Sequence, residues 1–195
     1  MREYPNAPAR LSRLAAVSPW AAYYLAQHTI LRNELINAQS GDAPDWPRLR
    51  QALRVSLDEH DGNTERQMDT LRHFKQAQTL RLLALDVAGN RSLETLSDHL
   101  SDLACTVLEE VLRLAWNALR SRHREQPQFA IVDYGKLGSK ELGYASDRDI
   151  MLPYDADDQP APEPYARLAP RIQTALTHAP PARGTYAPPP TCTPP

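Results

Sequence analysis

The sequence predicts an α+β fold in which a mainly helical N-terminal region, residues 1–128, precedes a small mixed α/β region, residues 129–178. Apolar residues recur at three- and four-residue steps through the first region, which is typical of packed helices. After it, the short segments FAIVDY (129–134) and DIMLPY (149–154) are typical of strands. The Pro-rich remainder, residues 179–195, can bury little apolar surface and is predicted to be disordered.

The bulk composition excludes several classes of protein. A net charge of −2 and a pI near 6.3 give no field that would favour nucleic acid or an anionic membrane. Two cysteines make no disulfide framework, and no apolar run approaches the roughly 18 residues of a membrane span. The N-terminus also lacks the uninterrupted apolar segment of a signal peptide. We therefore expect a cytoplasmic protein without nucleic-acid or membrane partners.

Helix boundaries are indicated by capping residues along the first region. Ser18 and Pro19 predict an N-cap and a first helical position for a helix that runs to about residue 38. The segment WPRLRQALRVSLDEH (46–60) is helical by propensity. Thr64 and Gln67 fit a capping box for a third helix, which Gly89–Asn90 would end.

The segment from Ser92 to about Arg122 has the most regular apolar pattern. A continuous stripe predicts a long core helix, and it comprises Leu93, Leu96, Leu100, Leu103, Val107, Val111, Ala115 and Leu119. Cys105 lies within this pattern and is predicted to be a small core residue. In the second region, residues 163–178 predict a helix that Pro170 bends or shortens. These helices supply a scaffold without evident chemistry.

A glycine-containing turn, GKLGS, follows the first predicted strand. Gly135 and Gly138 permit positive φ and remove side chains that would keep a phosphate away from backbone N–H groups. Ser139 adds a hydroxyl donor, and a helix that begins near it would direct its N-terminus at the anion. The P-loop pattern is absent, so this turn would be a different kind of phosphate site.

Two aspartates precede the second predicted strand. Asp147 and Asp149 lie two positions apart, so on a strand their carboxylates would point to the same face. Two hard oxygen ligands suit Mg²⁺, which prefers one or two carboxylates together with substrate phosphates. The spacing alone leaves a second interpretation open, namely an ordinary hairpin with a solvated acidic end.

The longer string FAIVDYGKLGSKELGYASDRDIMLPYD (129–155) resembles the glutamine synthetase adenylyltransferase family of the nucleotidyltransferase superfamily. Three upstream segments resemble that family in the same order, namely SPWAAYYLAQHTILRNELINA, LRHFKQAQTLRLLALDVAG and SDHLSDLA. Details of these segments are more similar to the adenylylating, C-terminal half of the family's two-part enzymes than to the adenylyl-removing half. The resemblance implies a truncated nucleotidyltransferase-type core, ATP and Mg²⁺ as cofactors, glutamine synthetase as protein substrate and signalling by a PII-type protein.

The resemblance also implies roles for individual residues. Asp147 and Asp149 would be the catalytic metal ligands, and Ser146 would brace the first of them. The phosphate-contacting turn would consist of Gly135, Gly138 and Ser139, with Lys136 close to it. The tyrosine hydroxyl of glutamine synthetase would then attack the α-phosphate of ATP.

The chain departs from the family pattern at several positions. Ser139 replaces a glycine, Arg148 replaces an apolar residue, Asp133 stands at a position that is usually small, and Pro153 interrupts the second strand. The family continues into a strand whose aspartate completes a three-carboxylate site, whereas here GTYAPPPTCTPP follows and no acidic residue occurs after Glu163. We therefore expect a truncated chain of low or no activity, and the alternative is a non-catalytic remnant that binds glutamine synthetase or nucleotide.

The composition of the C-terminal stretch suggests the hypothesis that it is translated from a shifted reading frame. Pro, Ala, Thr and Arg have GC-rich codons, as an out-of-frame translation of a GC-rich gene would produce. An alternative frame that restores an acidic strand beyond about codon 178 would support this hypothesis, and its absence would contradict it.

Overall fold

The computed structural model describes residues 7–28, 43–89, 91–119, 125, 132–133, 144, 150–151, 167–168 and 170–172. Its helices, in chain order, are α1 (Ala7–Val17), α2 (Pro19–Gln27), α3 (Trp46–Asp58), α4 (Thr64–Val87) and α5 (Leu93–Asn117). Residues 167–168 and 170–172 are also helical. Two short strands, β1 (Val132–Asp133) and β2 (Ile150–Met151), form an antiparallel pair.

The predicted α+β class is wrong for the part of the chain that the structure describes, which is mainly helical. An α+β fold would need the segments 129–134 and 149–154 to form a layer of β-sheet. Among the described residues, extended pairing is limited to two residues on each strand, which is too short to bury an apolar face. The core is formed instead by helices that pack on helices.

Capping side chains explain where the helices begin. Ser18 accepts from the backbone N–H of Ala21 at 3.3 Å, with Pro19 at the first helical position, as predicted. The prediction for α4 was wrong by one residue, because Asn63 rather than Thr64 is the N-cap and accepts from the N–H of Arg66 at 3.1 Å. An amide oxygen at this position satisfies a donor that would otherwise lack a partner.

Helix α4 packs between two hydrophobic clusters. Leu82 and Leu85 lie in the larger cluster, which α3, α4 and α5 build together with Leu168 and Ile172. Leu80 and Leu83 lie in the smaller cluster against α1 and α2, where Leu14 and Leu25 are buried. The nearly continuous apolar surface of this helix, predicted from LRLLALDVA, is therefore explained by neighbours on two sides.

The apolar stripe of α5 is confirmed over most of its length. Leu96, Leu100 and Leu103 are each at most 6% exposed. Its first member, Leu93, is 79% exposed because it occupies the first turn, and Cys105 is exposed rather than in the core. Residue 105 lies two positions after Leu103, so it is on a different face of the helix from the apolar stripe.

A buried carboxylate connects α3 to α5. Glu110 is 3% exposed, and its Oε1 accepts from Arg54 Nη2 at 2.7 Å and from Arg54 Nε at 3.0 Å. Its Oε2 accepts from Arg113 Nε at 2.6 Å, and Arg113 Nη1 donates to Asp58 at 2.9 Å. Both carboxylate oxygens therefore have charged partners, as a buried charge requires.

Glu110→Gln tests the contribution of this network to stability. We expect the free energy of unfolding to fall by about 2–3 kcal/mol, because Arg54 loses its carboxylate partner and Arg113 keeps only Asp58. The neighbouring Glu109→Gln is the control, since Glu109 is 57% exposed and its contact with Arg50 is 3.9 Å long; a change of at most about 1 kcal/mol is expected there. Equal effects of the two substitutions in urea-induced unfolding would contradict this account.

Candidate functional site

The predicted site residues lie outside the described residues. They are Gly135, Lys136, Gly138, Ser139, Ser146, Asp147 and Asp149. The structure does describe the two strands that flank them and one residue between them, Tyr144. We use the name motif segment for residues 134–149, which connect β1 to β2.

The two ends of the motif segment are held together by strand pairing. Val132 pairs with Met151 and Asp133 pairs with Ile150 in antiparallel register. Opposite Cα atoms in such a ladder are about 4.5–5.5 Å apart, so the segment leaves and re-enters the ladder at the same end. Asp149 directly precedes Ile150 in the sequence, and the glycine turn begins two residues after Asp133. The ladder thus limits how far these parts of the motif can separate.

Tyr144 connects the motif segment to the helical region. Its hydroxyl donates to Asp86 Oδ2 at 3.3 Å, across 58 positions of sequence. The pKa of Tyr144 is raised well above its usual range. Partial burial is the main cause, and the negative charge of Asp86 and its hydrogen bond add to it. A phenol is protonated at neutral pH, and a carboxylate oxygen accepts, so the hydroxyl is the donor. Sequence reasoning did not assign this residue a role, although it belongs to the quoted ELGY motif.

Asp86 lies in the last turn of α4 and is exposed, so it is accessible to the motif segment. The adjacent Leu85 is buried, as are Leu82 and Leu83 one turn earlier. A side chain on a helix that is packed in this way has a well-defined position. The motif segment is thus in contact with a rigid part of the described structure.

A separate cavity of about 660 Å³ lies between the end of α2 and helices α3 and α4. His28 and His73 line it, and their ring centroids are 4.7 Å apart. His73 Nδ1 is also 2.9 Å from Tyr24 Oη. Burial, followed by repulsion from His73, lowers the pKa of His28. Among the described residues, no group of three or more His, Cys, Asp or Glu side chains could hold a metal ion.

A second cavity, of about 520 Å³, lies between the start of α4 and the end of α5. Its walls include Met68 and Val111, and Arg72 and Arg171 also line it. Neither cavity is lined by the described residues that flank the motif segment.

The comparison with known families decides the ancestry of the chain. The sequence model of glutamate-ammonia ligase adenylyltransferase matches residues 8–186, which includes all five helices except the first residue of α1, together with the motif segment and both strands. The chain belongs to this family. The resemblance drawn from the motif segment and from the three upstream segments is thus confirmed.

Individual members of the adenylyltransferase family are similar over nearly the whole chain. A bifunctional glutamine synthetase adenylyltransferase/adenylyl-removing enzyme from Chromobacterium violaceum is 50% identical over 180 residues, which is 92% of this chain and 20% of the relative. The enzyme of the same name from Neisseria meningitidis serogroup A is 47% identical over 187 residues, 95% of this chain and 21% of the relative. The chain spans about a fifth of the length of these relatives.

No helix within the described ranges is both long and apolar enough to cross a bilayer.

The histidine contacts beside the larger cavity predict a pH dependence of stability. Because the pKa of His28 is lower in the folded than in the unfolded chain, unfolding takes up a proton in the window below about pH 6.5. The stabilising contribution is complete above this value and is lost as the pH falls. We expect His28→Gln to reduce the loss of unfolding free energy between pH 7.5 and pH 5.5, measured by urea denaturation. An unchanged pH dependence would contradict this assignment.

Proposed function

We propose that this chain is the nucleotide-binding part of an adenylylating nucleotidyltransferase and that its motif segment binds ATP with Mg²⁺. The observation that carries the proposal is the family match through residues 8–186, which includes the motif segment. The β1–β2 ladder supports it, since it keeps the two ends of that segment together.

The donor set of the motif segment fits a magnesium ion. Asp147 and Asp149 offer hard carboxylate oxygens at a spacing that places both on one face of an extended chain. A magnesium ion bound there would neutralise charge on the phosphates and on the departing pyrophosphate. Ser146, adjacent to Asp147, would hold the first carboxylate in orientation by a hydrogen bond.

The glycine turn would bind the phosphates of ATP. Gly135 and Gly138 allow backbone N–H groups to approach the phosphate oxygens, and the hydroxyl of Ser139 provides a further donor. Lys136 adds a positive charge close to the same anion. In the reaction, the hydroxyl oxygen of a tyrosine would bond to the α-phosphorus and its proton would pass to solvent. The bond from the α-phosphorus to the oxygen that bridges it to the β-phosphorus would break, and pyrophosphate would leave. The role of the protein is then alignment and charge stabilisation.

The partners follow from the family. We propose that the whole protein transfers AMP to a tyrosine of glutamine synthetase in the cytoplasm and that a PII-type protein regulates it. The names of the relatives support glutamine synthetase as the substrate. Two cysteines without a disulfide framework are consistent with a reducing compartment.

A second candidate function is binding without catalysis. It is favoured by residues 164–195, none of which is acidic and could join Asp147 and Asp149. We expect these 195 residues to bind Mg-ATP and to transfer AMP slowly or not at all when assayed alone.

Calorimetric titration with Mg-ATP tests the proposed site. We expect Asp149→Asn and Asp147→Asn each to weaken binding at least about tenfold, because each removes one charged metal ligand. Asp158→Asn is the matched control, since it removes the same charge from a position outside the motif, and its affinity should equal that of the native chain. Absence of Mg-ATP binding, or an equal loss in all three variants, would contradict the proposed function.

Transfer of label from α-phosphate-labelled ATP to glutamine synthetase distinguishes the two candidate functions. Labelling that is lost in Asp149→Asn supports catalysis by the chain alone. Binding of Mg-ATP without labelling supports the non-catalytic candidate.

A further inference from the structure

We propose that Tyr144 is a positioning residue that fixes the motif segment to helix α4 through Asp86. This inference rests on the proposed function, because it assigns a role in the nucleotide site that Asp147, Asp149 and the glycine turn would form. Tyr144 itself contacts neither ATP nor metal in this proposal. Its effect is on the position of the residues around it.

The place of Tyr144 in the sequence suits such a role. It lies five residues after Ser139 and three before Asp147, and thus between the proposed phosphate turn and the proposed metal ligands. A single contact at this point restricts both halves of the segment. The groups of a binding site must be held within about 0.5 Å of the geometry that binds the ligand. Two strands of two residues each do not fix a long connecting segment to that precision by themselves.

The contact joins a neutral hydroxyl donor to a carboxylate acceptor. The phenol O–H of Tyr144 and Asp86 Oδ2 are 3.3 Å apart, and the acceptor is a carboxylate. The phenol keeps its proton throughout the neutral range, as any tyrosine does, and it is therefore available as the donor. Hydrogen bonds to charged groups are stronger than those between neutral groups.

The acceptor side of the contact is rigid. Asp86 follows Leu85, which is 8% exposed in the larger cluster, and it lies one turn after Leu82 and Leu83, which pack in the two different clusters. Helix α4 cannot shift without disturbing both clusters. Tyr144, in contrast, is 40% exposed, so removal of its hydroxyl does not create a cavity in the core.

Tyr144→Phe tests the proposal, because it removes the hydroxyl and keeps the ring. The matched control is Tyr23→Phe, at an exposed tyrosine of α2. Two measurements are made on the full chain and on each variant. Hydrogen–deuterium exchange reports the amides of residues 134–149, and calorimetry reports the dissociation constant of Mg-ATP.

We expect Tyr144→Phe to accelerate exchange in residues 134–149 and to weaken Mg-ATP binding about fivefold, while exchange in α4 and α5 and the midpoint of thermal unfolding are unchanged. Tyr23→Phe should alter none of these quantities. Asp86→Ala should change exchange and Mg-ATP affinity as much as Tyr144→Phe does. The variant that carries both substitutions should show no larger change than either single variant. Asp86→Asn should cause a smaller change, because its amide oxygen still accepts the hydrogen bond.

Unchanged exchange in residues 134–149 on Tyr144→Phe would overturn the proposal. So would additive effects of Tyr144→Phe and Asp86→Ala. If the native chain itself does not bind Mg-ATP, the proposed function fails, and the exchange data still decide whether Tyr144 positions the segment.

Discussion

The packing of helix α4 between two hydrophobic clusters is the constraint on which the rest of the described structure depends. Leu82 and Leu85 contribute to one cluster, and Leu80 and Leu83 contribute to the other. An amphipathic helix with a single apolar face could not join both groups of helices. The position of Asp86, and with it the contact to the motif segment, is therefore fixed by core packing on two sides of the helix.

This arrangement separates the tasks of the two regions of the chain. The helices bury the apolar surface, and the buried carboxylate of Glu110 fixes α3 against α5 through Arg54 and Arg113. The residues that carry the family's nucleotidyltransferase motif belong to a connection between two short paired strands. Chemistry on a connecting segment is common, provided that a rigid scaffold positions it. Here the Tyr144 hydroxyl is a described link to that scaffold, and the strand ladder holds the two ends of the connection together.

The sequence predicted local features better than long-range ones. The Ser18 cap and the stripe of α5 follow from short-range rules and are confirmed, whereas the cap of α4 was misplaced because Thr64 and Asn63 are both good capping residues. The family could be recognised from the motif segment, since its signature is a string of neighbouring residues. The Arg54–Glu110 and Tyr144–Asp86 contacts join residues 56 and 58 positions apart, and no periodicity or spacing reveals such pairs. The α+β prediction failed because strand propensity does not fix how many residues pair.

The central claim is that the motif segment between β1 and β2 is a site for a metal–nucleotide complex. Mn²⁺ prefers the same oxygen ligands as Mg²⁺ and is paramagnetic, so it broadens NMR signals of nearby amides. We expect Mn²⁺ with ATP to broaden the amides of Val132, Asp133, Ile150 and Met151 in the native chain and to broaden them much less in Asp149→Asn. Equal broadening in the two proteins, or broadening that does not require ATP, would contradict the claim.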